Sequence, residues 1–391
     1  MRVLHFYKAS LPYSMGGVER FVDQLARGAV QQGIQIDVLS LTVEPNPKPV
    51  ELDKGYTVYG ALRNWQIAST GISISALRQF VKLAKQADVI HYHFPWPFMD
   101  LVHFACRITK PTVVTYHSDI IRQKHLLKIY RPLMRRFLGA MDRIVATSPN
   151  YFATSDELAR HKDKVSVIPI GIDKDSYPAC LDEKVQAWRK KFGPTFFAFV
   201  GVLRYYKGLH ILLEAAKNLD CQIVIVGAGP IEQSLKTKAA QAGITNVHFL
   251  GFLPDEEKVA LLHACYGVVF PSHLRSEAFG ISLLEGAMFG KPLISSEIGT
   301  GTTFINIANE TGLVVPPSDP IALRQAMQWL CEHPKRASEM GAQALARYRE
   351  HFTAEKMVNA YAQIYRELMD HPELDAQALA GTPIKPTPPA Q

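Results

Sequence analysis

Two glutamates spaced eight positions apart, Glu277 and Glu285, are the clearest chemistry-bearing pair in this sequence. They lie in residues 276–292, SEAFGISLLEGAMFGKP, between two apolar runs. This order predicts a strand, a loop, a short helix closed by Gly290, and a further strand. We expect Glu277 in the loop, Glu285 inside the helix, and Gly280 at the junction between them.

The N-terminus of this predicted helix would present the free backbone N–H groups of Phe279, Gly280 and Ile281. Helix N-termini bind anionic and hydroxyl-rich ligands. With a carboxylate on either side, the arrangement suits a ligand that has hydroxyls at two separated points and negative charge between them, as a nucleotide-sugar has. The alternative is that Glu277 caps the helix and Glu285 is an ordinary solvent-exposed helix residue.

Length and composition indicate a two-domain globular protein. The chain has 391 residues, of which 47% are hydrophobic and 20% charged. Its start does not resemble a secretion signal, and no apolar run reaches the length of about 18 residues that a spanning helix needs. Five scattered cysteines without a C-x-x-C pattern fit reduced cytoplasmic thiols and disfavour a zinc site. The net charge of +7 permits an anionic partner such as nucleic acid, an acidic membrane or a phosphorylated ligand.

The first part of the chain alternates between predicted strands and helices. Residues 3–7 form a strand, Gly16 and Gly17 close a loop, and a helix follows. Strand, glycine loop and helix form the phosphate-binding layout of doubly wound sheets, although a simple tight turn would have the same pattern. Further alternation to residue 169 predicts a mostly parallel sheet with helices on both faces.

Histidines follow two of these predicted strands, at the sheet edge where ligands bind. His91 and His93 stand in HYHFPWP, and His117 stands with Asp119 in TYHSD. The acid next to His117 favours a functional role for that histidine. A lone histidine is more often a hydrogen-bonded structural residue, and this alternative applies most to His91 and His93.

Residues 120–141 predict a basic amphipathic helix. Four basic residues recur at helical spacing on one face: Lys124, Lys128, Arg131 and Arg135. Pro132 predicts a break or kink midway. Such a helix fits the surface of an anionic bilayer, at about 1 kcal/mol per well-placed basic residue. The alternative is a solvated face over a core stripe.

A polar connection after residue 171 predicts a domain boundary, and a second series of strands and helices follows. We therefore expect an N-terminal domain at 1–172, a C-terminal domain at 173–352, a helix at 353–369 and a disordered, proline-rich tail at 370–391. In the second series, GVLRYYKG places Arg204 and Lys207 after a strand, where two cations suit a diphosphate.

These motifs together resemble those of the retaining GT-B glycosyltransferases, and of family 4 in particular. The resemblance rests on the E-x7-E stretch, TYHSD, YYKG, GAGP and ETGLVVPPSDP, and it covers residues 1–368. It implies an α/β fold of two doubly wound Rossmann-like domains that face each other across a cleft. The C-terminal helix is expected to cross back to the N-terminal domain.

The resemblance also implies roles for particular residues. Glu277 would bind hydroxyls of the donor sugar and Glu285 those of the ribose. Backbone N–H groups of residues 279–281 would hold sugar and phosphate. Lys207 would neutralise the diphosphate. The arginine that the family places directly after the glycine is replaced by Val202, and Arg204 stands two positions further on.

In the N-terminal domain, the resemblance implies that Gly16 and Gly17 close over the phosphates and that His117 lies near the reactive face of the sugar. Cations and helix N–H groups can stabilise a departing diphosphate without a metal ion. Because no D-x-D pattern stands in a suitable loop, we expect no metal and no cofactor. The family is usually discussed as transferring by a front-face mechanism, in which the leaving phosphate oxygen accepts the acceptor's proton.

The segments HYHFPWP, VLRYYKG and SSEIGTGT resemble the branch that builds bacterial surface polysaccharides, of the O-antigen type, from GDP-mannose or related GDP-deoxyhexoses. Acceptors of that branch are carried on polyprenyl diphosphate at the inner face of the cytoplasmic membrane. The resemblance thus implies a peripheral membrane enzyme docked by the basic helix. His91, His93 and Asp119 are then candidates on the acceptor side.

Three alternatives remain at this stage. The first is a transferase of the same fold that uses UDP-glucose or UDP-N-acetylglucosamine. The second is a dinucleotide-dependent oxidoreductase, which would need a full G-x-G-x-x-G after the first strand. The third is a nucleic-acid-binding protein. It is disfavoured because the basic residues are concentrated in one helix with few stacking aromatics.

Overall fold

The computed structural model of this protein describes residues 1–52, 55–67, 70–120 and 124–370. Beyond Asp370, the tail that the sequence predicts to be disordered lies outside the described residues. The side chain of Lys124 also lies outside them. The chain divides into two compact units. The N-terminal unit comprises Met1–Ile172 together with a helix that begins at Ala354, and the C-terminal unit comprises Asp173–Thr353.

The N-terminal unit alternates strands and helices. Its elements are β1 (Arg2–Phe6), α1 (Gly17–Gln31), β2 (Gln35–Thr42), β3 (Val50–Leu52), β4 (Tyr56–Leu62), β5 (Trp65–Ile67), β6 (Thr70–Ile72), α2 (Ile74–Gln86), β7 (Val89–Phe94), α3 (Pro97–Ala105), β8 (Thr112–Tyr116), α4 (Lys124–Ala140), β9 (Arg143–Ala146), α5 (Pro149–Thr154), α6 (Asp156–Ala159) and β10 (Val165–Val167).

Eight of these strands form one sheet in the order β10-β9-β8-β7-β1-β2-β4-β3. All neighbours run parallel except β3, which is antiparallel to β4. Three neighbouring strands lie at the centre of the sheet. His5 of β1 is in register with His91 of β7, and His93 of β7 is in register with Thr115 of β8. Since side chains alternate along a strand, His91 and His93 project from the same face of the sheet.

The C-terminal unit repeats the alternation. Its elements are α7 (Asp182–Phe192), β11 (Phe196–Val200), α8 (Leu209–Ala216), β12 (Gln222–Val226), α9 (Glu232–Gln241), β13 (Val247–Gly251), α10 (Asp255–Ala264), β14 (Gly267–Phe270), α11 (Ile281–Met288), β15 (Leu293–Ser296), α12 (Thr302–Ile305), β16 (Gly312–Val315), α13 (Pro320–Glu332) and α14 (Pro334–His351). Its six-stranded sheet is parallel throughout, in the order β13-β12-β11-β14-β15-β16.

The last helix, α15 (Ala354–Asp370), belongs to the N-terminal unit and packs against α1. Its start is held by a hydrogen bond from the Ala354 N–H to the carbonyl of Ile172, at 3.1 Å. Tyr361 and Tyr365 are fully buried and reach the central strands of the sheet. The return of the C-terminal helix to the first domain is thus observed. The predicted class of two Rossmann-like α/β domains is confirmed.

The basic helix continues through its proline. The helix α4 includes Pro132, so, of the predicted break or kink, the break is absent. Proline removes one backbone N–H from the helix, and the buried side chains of Met134, Phe137 and Leu138 just beyond it hold the helix in place. Within the described ranges, no helix combines the length and the apolar character that crossing a bilayer would require.

Candidate active site

The loop between β14 and α11 forms the helix start that the sequence predicts. Gly280 precedes the first residue of α11 with φ of 101°, a region that favours glycine. A Cβ there would lie 3.1 Å from Cε1 of Phe270. No side chain caps the helix at this position, so the prediction that Glu277 could serve as the cap is wrong. The first N–H groups of α11 have no partner within the helix.

Glu277 is held beside Lys207. The Lys207 ammonium pairs with Oε2 of Glu277, and the Ser272 hydroxyl donates to the same oxygen at 3.1 Å. Both charged residues are only 8% exposed. The Lys207 Nζ also lies 4.6 Å from the centre of the Phe270 ring. The acid and the cation that the sequence assigns to different parts of one ligand are therefore in direct contact with each other.

Gly208 allows this contact. It follows Lys207 with φ of 70°, and a Cβ at this position would lie 1.9 Å from the carbonyl oxygen of Pro271. A larger residue would therefore push the Lys207 turn away from the loop that carries Glu277. Arg204 lies at the start of the same turn, is exposed, and makes no ion pair with any residue that the structure describes.

Glu285 occupies a different environment. It is 3% exposed, so the alternative of a solvent-exposed helix residue is wrong. Its Oε1 accepts a hydrogen bond from the Tyr177 hydroxyl at 2.8 Å and lies 3.1 Å from Nζ of Lys258. Lys258 also pairs with Asp255 at 3.1 Å. Sequence reasoning missed Tyr177 and Lys258, because nothing local connects residues that lie 108 and 27 positions away from Glu285.

In the N-terminal unit, Gly16 is the N-cap of α1 and Gly17 its first residue. Gly16 has an extended backbone, and no side chain caps the helix. The carboxylate of Glu19 lies in the first turn, where Oε2 would be 2.6 Å from a Cβ on Gly16. The Ser14 hydroxyl donates to Oε1 of Glu19 at 3.2 Å. The glycine loop thus has an acid directly beside it.

His117 lies at the end of a buried row of histidines. Its Nε2 is 3.1 Å from Nδ1 of His93, and Nε2 of His93 is 3.0 Å from Nδ1 of His5. His91 stands beside this row and bonds elsewhere, to Tyr365 Oη at 2.6 Å and to Thr115 Oγ1 at 2.7 Å.

His5, His91 and His93 have no exposed surface, whereas His117 is 8% exposed. In this structure His91 and His93 cannot contact an acceptor directly, so we assign them positions that support the sheet and His117.

Burial keeps these histidines neutral. It lowers the pKa of His5 and of His117 to about 3, and the charge of Lys8 lowers the pKa of His117 further. Burial also lowers the pKa of His91 and of His93 well below the ordinary value. At neutral pH each ring therefore carries one N–H and one bare nitrogen.

The same cluster fits a metal ion poorly. His5, His91 and His93 each have a ring nitrogen within 4.8 Å of the others, a spacing that a metal could use. However, both nitrogens of His91 and both of His93 already take part in hydrogen bonds. The rings of His91 and His93 are stacked, 4.5 Å apart at 25°, so their nitrogens do not converge on one point. The absence of a catalytic metal stays a prediction.

Asp119 makes hydrogen bonds to neighbouring residues of the N-terminal unit. Its Oδ1 accepts hydrogen bonds from the hydroxyls of Tyr116 and Ser155, both at 2.8 Å, and its N–H donates to the Tyr151 hydroxyl at 2.6 Å. These bonds hold the loop that follows β8, directly after His117. Asp119 therefore positions this loop.

The helix α4 presents both charge and apolar surface. Lys128 and Arg131 are exposed, whereas Arg135 is paired with Glu157 at 2.9 Å. Ile129 is 81% exposed and Leu126 is 49% exposed. Sequence reasoning did not identify Leu126 or Ile129 as exposed. The exposed surface of α4 thus carries large apolar side chains as well as cations.

Comparison with known proteins agrees with this architecture. Residues 15–176 match the model of the Glycosyltransferase Family 4 domain, and residues 182–347 match that of Glycosyl transferases group 1. The sucrose-phosphate synthase of Thermosynechococcus elongatus has a similar fold, with a TM-score of 0.79 and 22% identity over 94% of this chain and 99% of the other.

Two relatives are more similar in sequence. The D-rhamnosyltransferase WbpZ of Pseudomonas aeruginosa is 61% identical over 354 residues, which cover 90% of this chain and 93% of the relative. The O-antigen chain mannosyltransferase C of Escherichia coli is 47% identical over 370 residues, or 95% of this chain and 99% of the relative. These similarities decide against an oxidoreductase. The chain belongs to the family 4 glycosyltransferases, enzymes of the GT-B class with a group 1 C-terminal domain.

Proposed function

We propose that this glycosyltransferase transfers a hexose, mannose or a related deoxyhexose, from a GDP-sugar to a lipid-linked saccharide, with retention of configuration. The proposed pathway is the synthesis of an O-antigen-type surface polysaccharide. The observation that carries the proposal is the buried pair of Glu277 and Lys207 at the open N-terminus of α11. The names of the two relatives, a D-rhamnosyltransferase and an O-antigen chain mannosyltransferase, support the choice of sugar and pathway.

In this proposal, the leaving diphosphate lies near the Lys207 ammonium and the first N–H groups of α11. Preorganised cations and N–H dipoles stabilise negative charge that develops in the transition state. Glu277 accepts hydrogen bonds from sugar hydroxyls, and its pairing with Lys207 and Ser272 holds the carboxylate in position. The departing phosphate oxygen takes the proton of the acceptor hydroxyl. No resident metal or cofactor is part of the proposal.

Replacement of Glu277 tests this assignment. Glu277→Gln keeps the side-chain volume and an oxygen for the Ser272 hydroxyl, but it removes the negative charge. We expect transfer to fall roughly 100- to 1,000-fold, as for the loss of one group that stabilises a transition state. Steady-state transfer from GDP-mannose measures the effect. Glu256→Gln, at an exposed acid, is the matched control. Near-normal turnover of Glu277→Gln would overturn the assignment.

A thermal-shift series with GDP, UDP and ADP tests the donor nucleotide. A ligand present at about 100 times its Kd stabilises the protein by about 2.7 kcal/mol. We expect a shift with GDP that the other two diphosphates do not produce, and hydrolysis of GDP-mannose in the absence of acceptor. A shift with UDP alone would instead favour UDP-glucose or UDP-N-acetylglucosamine as the donor.

We further propose that the enzyme docks on the inner face of the cytoplasmic membrane through α4. The support is that Lys128, Ile129 and Arg131 are all exposed on α4, because anionic lipid attracts exposed cations and apolar side chains enter the headgroup region. This would bring the enzyme to an acceptor carried on polyprenyl diphosphate.

Vesicle flotation tests the docking. The double variant Lys128→Glu/Arg131→Glu should weaken binding to anionic vesicles by at least about 2 kcal/mol at low salt, and Ile129→Asp should weaken it as well. Lys82→Glu reverses the charge of an exposed residue on α2. It is the control and should have a smaller effect on vesicle binding. Equal binding by all these variants would contradict docking through α4.

A further inference from the structure

The row formed by His5, His93 and His117 has one closed end and one open end. At the closed end, Nε2 of His5 is buried without a hydrogen-bond partner. At the open end, Nδ1 of His117 has no partner among the described residues, and its residue is slightly exposed. Between them, His93 shares one ring nitrogen with each neighbour, at 3.0 and 3.1 Å.

Proton counting restricts this row to two arrangements. A neutral imidazole has one N–H donor and one acceptor nitrogen. If His93 donates from Nδ1 to His117, its Nε2 must accept from Nδ1–H of His5. If His93 instead donates from Nε2 to His5, its Nδ1 must accept from Nε2–H of His117. In the first arrangement all three rings carry hydrogen on Nδ1, and in the second all three carry it on Nε2.

A third arrangement would protonate His93 on both nitrogens. It would place a positive charge on a residue with no exposed surface. The charged groups near the row are Lys8, which acts on His117, and Glu19, which acts on Tyr7 beside it. None of the hydrogen bonds described for His93 is made to a carboxylate that could balance the charge. The row therefore stays neutral and keeps its two arrangements.

We propose that His5 and His93 are positioning residues that share one tautomeric state with His117, so that the three rings change state together. In one state Nδ1 of His117 presents an N–H, and in the other it presents a lone pair, without charge entering the core. A ligand oxygen that accepts a hydrogen bond selects the first state, and a ligand hydroxyl that donates selects the second. This inference rests on the proposed function only in placing a sugar or phosphate oxygen near His117.

The hydrogen bond between His91 and Tyr365 provides a control variant for changes within the histidine row. Nδ1 of His91 bonds to the hydroxyl of Tyr365, outside the row. Tyr365→Phe removes one hydrogen bond from a buried histidine of the same cluster but leaves the contacts among the other three intact. A purely structural role for the cluster predicts similar effects from changes at Tyr365 and at His93, whereas the shared tautomer does not.

Nitrogen NMR of the full chain labelled with ¹⁵N-histidine tests the proposal. The correlations between ring nitrogens and ring protons show which nitrogen carries hydrogen, and single His→Phe variants assign the signals. We expect His5, His93 and His117 to hold the same tautomer in the resting enzyme. In His5→Phe, His93 and His117 should still match each other. Different tautomers for His93 and His117 in the wild type would overturn the proposal.

Kinetics of the variants supply the second readout. His93→Phe should lower kcat roughly 10- to 100-fold, by analogy with metal-ligating histidines that lose the hydrogen-bond partner orienting them, with a much smaller change in KM. Tyr365→Phe should leave kcat within about twofold. Equal losses in both variants would overturn the positioning role. Because the NMR measurement needs no donor, failure of the GDP-sugar assignment would leave the tautomer result standing, and the reverse also holds.

Discussion

Two buried acid–lysine pairs stand near α11, and their surroundings differ. Glu277 and Lys207 meet before the first turn of the helix, where N–H groups are open. Glu285 and Lys258 meet in the interior, where Tyr177 adds a further hydrogen bond. A buried ion pair adds little net stability, but removal of one partner leaves the other charge buried and unpaired, which is strongly destabilising. The second pair therefore has the character of a structural contact, and the first that of a site ready for an anion.

The Glu285 pair leads to a prediction that separates stability from binding. Glu285→Ala should destabilise the C-terminal unit by about 3 kcal/mol, the lower end of the range for a broken buried pair, because Asp255 still contacts Lys258. Urea unfolding measures this loss. Glu256→Ala breaks only an exposed pair with Lys184 and should cost less than about 1 kcal/mol. A stable Glu285→Ala protein with a raised donor KM would instead identify Glu285 as the ribose contact that the family resemblance implies.

At the scale of elements, the packing of α15 on α1 completes the N-terminal unit. Gly28 of α1 lies against Val358 of α15, and a Cβ on Gly28 would be 2.4 Å from a methyl carbon of Val358. Val358 is buried, at 2% exposure. Hydrogen bonds between Tyr361 and Thr115 and between Tyr365 and His91 join α15 to the central strands. The helix that returns from the end of the chain is thus part of the core around the histidines.

We expect Gly28→Ala to destabilise the N-terminal unit by about 1–3 kcal/mol through overpacking, although alanine is the better helix former. Val358→Ala should partly rescue it, so the double variant should be more stable than the sum of the single effects by at least about 0.5 kcal/mol. Denaturant unfolding of the four proteins gives this coupling. Gly139→Ala in α4 is the control: a Cβ there would lie 3.8 Å from Cε1 of His161, an ordinary van der Waals distance, so the change should be neutral or slightly stabilising. Strict additivity would contradict the contact.

For the whole molecule, the buried histidines make stability depend on pH. His5, His91, His93 and His117 have lowered pKa values in the folded state, so the unfolded chain binds their protons first as the pH falls below about 6.5. Each lowered pKa therefore reduces the free energy of unfolding as the pH falls from about 6.5 towards the pKa of that histidine in the folded protein. Burial also lowers the pKa of His103, to about 4, and that of His161, which adds to this loss. Burial raises the pKa of Asp100, which acts in the opposite direction.

Each buried histidine that takes up a proton only on unfolding should cost the N-terminal unit about 1.4 kcal/mol of stability per pH unit well below pH 6. Hydrogen exchange measured by mass spectrometry at pH 7 and at pH 5, with exchange times corrected for pH, locates this loss. We expect protection to fall first in β1 and β7, which carry these histidines, and in β8, which directly precedes His117, and later in the sheet of the C-terminal unit. Equal loss of protection in both units would contradict the assignment to the histidines.

The sequence by itself determined the alternation of strands and helices, the start of α11 at Gly280 and the basic face of α4. These features depend on apolar periodicity and on glycine at turns, which act over a few neighbouring residues. Of the break or kink predicted at Pro132, a break does not occur, because packing beyond the proline holds the helix. The exposure of Ile129 was missed because its apolar type alone suggests burial.

Only the tertiary structure decided which side chains meet. Lys207 and Glu277 are 70 positions apart, and His5 and His93 are 88 apart. Their contacts depend on the order of parallel strands and on the register between them, and neither can be read from a local pattern. The sequence thus determined that Glu277 precedes a helix and that His117 ends a strand. The fold decided that one is held by a buried lysine and the other by a row of neutral histidines.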